Sequence, residues 1–188
     1  MEHTITLTGH GVRLVPLATE HASALAALVD HALWAGMTVP LPDTEESMTA
    51  YVDAAVRTPG RAAFAVLGDD GAVRGSTSLH ELVPSQGRAE AGHTFYGRTW
   101  WGGRSNPACK LLLLQHAFET ERLYRVGFRV DSRNTRSLAA MERLGAVREG
   151  VLRGARIAHD GSRGDTVVLS VLAPEWPDVR ARLEARLG

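Results

Sequence analysis

Two groups of residues in this chain have types and spacings that could do chemistry. The first is WWGGRSNPACKLLLL, residues 100–114. Gly102 and Gly103 let the backbone curl and aim successive N–H groups at an anion, and Arg104 adds a fixed cation with a forked donor set. Asn106 followed by Pro107 reads as an N-cap and a first helical residue. The start of that helix offers unpaired N–H groups and a partial positive charge of about half a unit. On these residues alone the stretch reads either as a phosphate cradle or as a tight turn into a core helix. It is neither a Walker loop nor a Rossmann fingerprint, because no Gly-Lys-Ser/Thr and no third glycine follow. The second group is Asn134, Ser137 and Met141, whose i, i+3, i+7 spacing sets an amide, a hydroxyl and a thioether on one helix face.

Other chemistries are disfavoured by what is missing. Cys109 is the only cysteine and lies in an apolar helical run, which reads as a buried thiol rather than a nucleophile. The eight histidines (3, 10, 21, 31, 80, 93, 116 and 159) show no His-x-His or His-x-x-x-His spacing, so no metal is expected. The 188 residues are 44% hydrophobic and 22% charged with zero formal net charge, as expected of one globular domain spanning 1–188. Zero net charge argues against nucleic acid as a partner. No apolar run approaches the roughly 18 residues of a membrane span, and the N-terminus lacks a basic segment followed by an apolar core. No membrane association and a cytoplasmic location are the resulting expectations.

The elements that must position these residues can be read in order. Val12 to Leu17 reads as a strand, and Thr19 as the N-cap of a helix with Ala24, Leu25 and Leu28 on one face. The two prolines of WAGMTVPLPDTEES, from Trp34, call for a loop. Asp43 or Thr44 can cap a helix through Met48, Tyr51, Val52 and Val56. Strands follow at 62–68, 74–82 and 89–97, then a helix to about Thr120. In YRVGFRVD (124–131), Tyr124, Val126, Phe128 and Val130 point one way and Arg125 and Arg129 the other. A helix from Thr135 to Leu144 stops at Gly145, a hairpin turns at Asp160-Gly161, and a last helix closes the chain. The fold class is α/β (α+β), a mixed sheet with helices on both faces.

DSRNTRSLAAMERLGAVREGVLR (131–153) resembles the Asp-x-x-Asn-x-x-Ser-x-x-x-x-Glu-Lys-x-Gly-Phe segment after the fifth strand of GNAT acetyltransferases, in particular their RimL/RimJ-like branch of ribosomal-protein N-acetyltransferases. AEAGHTFYG resembles that branch's fourth strand, Ala-Glu-Ile-Gly-Tyr, and HDGSRGDTVVLSVL its closing hairpin. The resemblance covers nearly the whole chain. It implies a mixed, mostly antiparallel twisted sheet in which strands four and five, as counted along this sequence, splay apart. It further implies acetyl-CoA as co-substrate, with the pantetheine arm in that gap and the pyrophosphate on the loop Gly102, Gly103, Arg104, Ser105 and Asn106. Where the family has Arg/Gln-x-x-Gly-x-Gly/Ala, this chain has Trp101 at the leading polar position and Arg104 and Asn106 at the glycines.

The same resemblance implies roles. Glu90 would be the base that takes the amine proton, and the backbone N–H groups of Thr94, Phe95 and Tyr96 would polarise the thioester carbonyl. Many superfamily members protonate the departing thiolate with a tyrosine at the position of Met141; the RimL-like branch has a serine one turn earlier, here Ser137. Asn134 is a pantetheine ligand, an N-cap or both, and Arg143, where the family often has a lysine, is a solvated surface charge or a phosphate contact. Trp34, Met37 and His80 would line the acceptor pocket, the alternative for the aromatic being core packing. The expected activity is direct transfer of acetyl to a primary amine, a protein N-terminus or a small molecule, in a ternary complex. A CoA-binding module without catalysis is the alternative, and a homodimer is possible because relatives form them.

Overall fold

The apolar runs of the chain become strands covered on both faces. In the computed structural model, which describes residues 3–188, these are β1 (Leu7–Gly9), β2 (Val12–Pro16), β3 (Ala62–Gly68), β4 (Val73–Val83), β5 (Arg88–Tyr96), β6 (Arg125–Asp131), β7 (Val147–Ile157) and β8 (Arg163–Leu172). They form one sheet in the order β1-β2-β3-β4-β5-β6-β8-β7. Every neighbouring pair is antiparallel except β5 and β6. The helices are α1 (Ala22–Ala26), α2 (His31–Trp34), α3 (Glu45–Arg57), α4 (Ser105–Gln115), α5 (Thr135–Leu144) and α6 (Trp176–Ala185). Leu25, Trp34, Met48 and Val52 of α1–α3 build one apolar cluster with Ala63 and Ala65. Leu111, Leu114, Met141 and Leu183 of α4–α6 build the other with Phe64 and Val66. The strict alternation of β3 between the two clusters explains why AAFAVLG contains no polar residue.

Local signals set most element ends. Thr44, not Asp43, caps α3: its hydroxyl accepts the Ser47 N–H and Ser47 reciprocates. Gly145 ends α5 in the left-handed region, at φ 96°, and bonds back to Glu142 and Met141. Three expectations fail for tertiary reasons. Thr19 opens a 3₁₀ turn instead of capping a helix; the cap position belongs to Ala18, whose N–H is taken by the buried His21 ring, and Ala24 faces solvent. Trp34 ends α2, capped by Asp30, before the loop begins. Tyr124 is 58% exposed and precedes β6, because its N–H and that of Arg125 both bond the Gly87 carbonyl and turn the chain into the strand. The N-terminal β1, paired with β2, adds a strand the sequence pattern did not show, so the strands counted fourth and fifth from sequence are β5 and β6.

The sheet opens at its one parallel seam. Only Arg88↔Arg125, Ala89↔Val126 and Glu90↔Gly127 pair, while β5 runs on to Tyr96 and β6 to Asp131. A bulge in β5 accompanies the parting. Between the Ser78↔Gly92 and Ser76↔Phe95 pairs, β5 holds two residues against one of β4, and His93 takes φ 50°. A bulge bends its strand and leaves a residue unpaired, here where the two strands diverge.

Candidate active site

The parted strands enclose a cavity of about 450 Å³ walled by the starts of α4 and α5, the α2–α3 loop and the β7–β8 hairpin. Six cations reach it: Lys110, Arg129, Arg136, Arg143, Arg156 and Arg186. Among the described residues only Glu90 and Asp131 oppose them, so a chain of zero net charge concentrates positive charge in its cleft. On the α4 side, Gly102 (φ 74°), Gly103, Asn106 and Pro107 form the wall. The helix starts at Ser105, which makes Arg104 the cap residue and shifts Asn106 and Pro107 into the first turn. Proline is tolerated there because first-turn N–H groups have no acceptor within the helix. Arg104 turns away from the cavity and donates to the Leu187 carbonyl. Ser105 is buried and accepts from Arg74 at 3.4 Å. Neither residue is part of the cavity wall.

On the α5 side, Asn134, Ser137, Met141 and Arg143 all face the cavity. Asn134 does cap: its Oδ1 accepts the Ser137 N–H at 3.0 Å. The hydroxyls of Thr49 and Thr58 bond carbonyls four residues back; among the described residues Ser137 has no such bond. On the opposite face of the sheet, Glu90 is 12% exposed and its Oε1 accepts from Arg129 Nε at 2.8 Å. Among the described residues its buried Oε2 has no partner. Burial raises the Glu90 pKa, Arg129 opposes the rise, and nearby Glu81 adds to it. His80, the cross-strand partner of Glu90, meets the His93 ring edge-on at 4.8 Å. Burial drives these imidazoles down to about 4 and about 3, so both are neutral near pH 7. His80, Glu81 and Glu90 bring three donor atoms within 4.8 Å of one another, and Arg129 already bridges the two acids.

Residues 12–147 match the family described as an acetyltransferase (GNAT) domain. The chain belongs to the GNAT acetyltransferases. An acetyltransferase from Thermus thermophilus, so assigned in its crystal structure, is 42% identical over the full length of both chains, with a TM-score of 0.92. YdaF of Bacillus subtilis (strain 168), assigned by name to the ribosomal N-acetyltransferases, is 34% identical over 107 residues, which span 57% of this chain and 57% of that protein. RimJ of Mycobacterium smegmatis, solved with CoA-disulfide, shares the fold at a TM-score of 0.84 and 22% identity, covering 97% of this chain and 94% of that one. The name of YdaF agrees with the resemblance to the RimL/RimJ-like branch.

In this GNAT fold the expected acceptor residues separate. Met37 and His80 line the cavity, and the Met37 carbonyl accepts the His159 N–H at 3.0 Å, tying the α2–α3 loop to the hairpin turn. Trp34 does not reach it. Its indole is wholly buried, donates to the Val39 carbonyl at 2.9 Å, and packs edge-on against Tyr51 and Phe95. The acceptor role expected of Trp34 therefore gives way to core packing. Trp34→Phe leaves the Val39 and Pro40 carbonyls unpaired and a small void. Stability should fall by about 1–2 kcal/mol with the acceptor KM unchanged, a result checked by thermal melts beside steady-state kinetics. Thr94, Phe95 and Tyr96 lie at the bulge and line the cleft, with the Thr94 hydroxyl held 2.7 Å from that of Thr77.

Sequence reasoning missed most of the cationic wall. Arg136 stacks on the Trp101 indole, its Cζ 3.3 Å from the ring centroid, and Lys110 lies over Phe128. Lys110 carried a signal, a lone cation inside ACKLLLL one turn beyond Asn106. Arg156 and Arg186 come from distant segments and carried none.

Proposed function

We propose that this GNAT domain moves an acetyl group from acetyl-CoA directly to the primary amine of a protein N-terminus. The observation that carries the reading is the β5–β6 seam, paired at only three positions and lined beyond them by six cations. A thioester bearing phosphates suits such a slot: the phosphates meet the cations carried by α4 and α5 (Lys110, Arg136 and Arg143) and the amides at the start of α4, and the slim arm occupies the gap. Gly102 and Gly103 leave open space there, since a Cβ at Gly102 would meet nothing within 4 Å. The CoA-disulfide bound to RimJ and the ribosomal assignment of YdaF support the donor and the acceptor class.

Acetyl-CoA supplies the activated acetyl carbonyl, and the chain's own groups do the rest. Glu90 takes the ammonium proton, its unpartnered Oε2 being the free acceptor. Backbone N–H groups of the bulge, at Thr94 to Tyr96, hold the carbonyl oxygen as it gains charge. Ser137 donates to the departing sulfur from the α5 face it shares with Asn134 and Met141. Direct transfer is favoured because the lone cysteine is no nucleophile: burial drives the Cys109 thiol up to about 12, which leaves almost no thiolate near neutrality.

Saturating acetyl-CoA or CoA should raise the melting temperature by several degrees, since about 100-fold excess over Kd is worth ~2.7 kcal/mol. Thiol release should then appear with N-terminal peptides. Absence of stabilisation by both cofactors would sink the reading.

A further inference from the structure

Among the described residues, the cavity wall holds a guanidinium, that of Arg156, whose buried nitrogens find no hydrogen-bond partner. Arg156 sits near the end of β7, just past a distortion of the hairpin. Between Leu152↔Thr166 and Arg156↔Gly164, β7 places three residues against one of β8. Such a bulge re-aims side chains, and here Arg156 joins Leu152 and Ala155 on the cavity wall. Its side chain is 12% exposed, yet Nε and Nη1 are buried with no hydrogen-bond partner among the described residues. The nearest carboxylate is Asp131, 3.7 Å from Nη1, too far for a hydrogen bond.

Asp131 is also already committed. Arg133 gives it three bonds: its backbone N–H to Oδ1 at 2.9 Å, Nε to Oδ1 at 3.0 Å, and Nη2 to Oδ2 at 2.7 Å. One buried acid therefore faces two arginines, and a positive charge is left over beside the cavity. Leaving a buried cation without hydrogen bonds is costly. A fold keeps such a group where an incoming anion completes it.

Position distinguishes an acceptor anion from a donor phosphate. Asp131 and Arg129 are two residues apart on β6 and so point to the same face of the sheet, the face on which Arg129 holds Glu90. The wall around Arg156 is the hairpin tied through His159 to Met37, whereas Val126, Phe128 and Val130 of β6 pack on the face that α4 covers. Strand rise of about 3.3 Å per residue puts Asp131 ~7 Å beyond Arg129 and ~13 Å beyond Gly127, the register partner of Glu90. An extended peptide covers that span in two to four residues. We propose that Arg156 reads a carboxylate of the acceptor, so that the preferred substrate is a peptide amine with an acidic residue at its second to fourth position.

The inference rests on the peptide-acceptor reading above and is tested within it. Peptides identical except for Asp or Asn at the second, third or fourth residue are compared by thiol release from acetyl-CoA. The Asp peptide at one of these positions should be favoured about tenfold in kcat/KM, equivalent to ~1.4 kcal/mol. Arg156→Gln should bring the two peptides together, the Asp peptide losing mainly in KM, and Arg156→Lys should restore part of the difference. Stabilisation by CoA reports that each variant is folded. Equal rates for Asp and Asn peptides at all three positions overturn the inference alone. A rise in the acetyl-CoA KM of Arg156→Gln with the peptide preference kept overturns it too, and makes Arg156 a donor contact. No thiol release from any peptide, with CoA binding intact, overturns the peptide-acceptor reading and this inference with it.

Discussion

Glu90→Gln should lower kcat/KM about 100-fold, the lower range for removing a general base, and move the acidic limb of the pH profile upward. The substitution keeps shape and leaves Arg129 an amide oxygen to bond, while the unpartnered Oε2 that would accept the proton becomes an NH₂ group. Burial holds Glu90 above its ordinary 4.5. In the native enzyme the rate therefore climbs with pH as Glu90 ionises, at a pH above that value. In the variant only the amine's own ionisation remains, near pH 8 for an α-amino group, so the optimum moves upward. Stability moves the other way. A carboxyl whose folded pKa is raised holds its proton more tightly in the folded state, so the native fold loses stability as pH rises from the unfolded through the folded value. Glutamine removes that loss, and the variant should melt no lower than the native protein at pH 7. A low rate in a well-folded variant is then a chemical result. A variant whose acidic limb stays where the native one lies would remove Glu90 from the base role.

Elements bounded by local chemistry could be read from sequence; those decided by distant contacts could not. Helix α5 was legible end to end because Asn134 caps it and Gly145 stops it with its own conformation. The β7–β8 turn at Asp160-Gly161 was legible for the same kind of reason, with Gly161 at φ 80°. Thr19 looks like a cap in isolation, but the buried His21 ring takes the neighbouring amide. Asn106-Pro107 looks like a helix start, but Ser105, buried beside Arg74, begins the helix earlier. In the cleft, the α5 face was visible from spacing and Glu90 from resemblance. Arg156 was not, because a three-residue distortion of β7 aims it and no pattern in one strand encodes that. The partners of Arg104 were equally hidden, since the Leu187 carbonyl that holds it lies 83 residues away.

Lys110→Met should stabilise the free protein at pH 7 by about 2–3 kcal/mol and raise the KM for acetyl-CoA. Lys110 is 5% exposed and lies over the Phe128 ring, its Nζ 5.3 Å from the centroid. Burial lowers its ammonium from the ordinary 10.5 to about 8, opposed only by Cys109. At ~1.4 kcal/mol for each tenfold in the proton equilibrium, that displacement is worth about 3 kcal/mol. Its sign follows from which state keeps the proton. Between about pH 8 and 10.5 the unfolded chain holds a proton that the folded one has lost, so stability rises with pH across that window and the full penalty stands below it. Methionine fills similar space without charge, so it removes the penalty and the rise together. A fold that carries a cation at this cost gains by it only when the cleft is filled, because an anionic donor lowers the cost of burying positive charge. The stability gain and the weaker donor binding are thus two readings of one interaction, checked by melts from pH 7 to 10 and by donor titration. A native melting temperature that stays flat over that range, or a methionine variant that melts lower and binds donor equally well, would show that Lys110 is an ordinary structural residue.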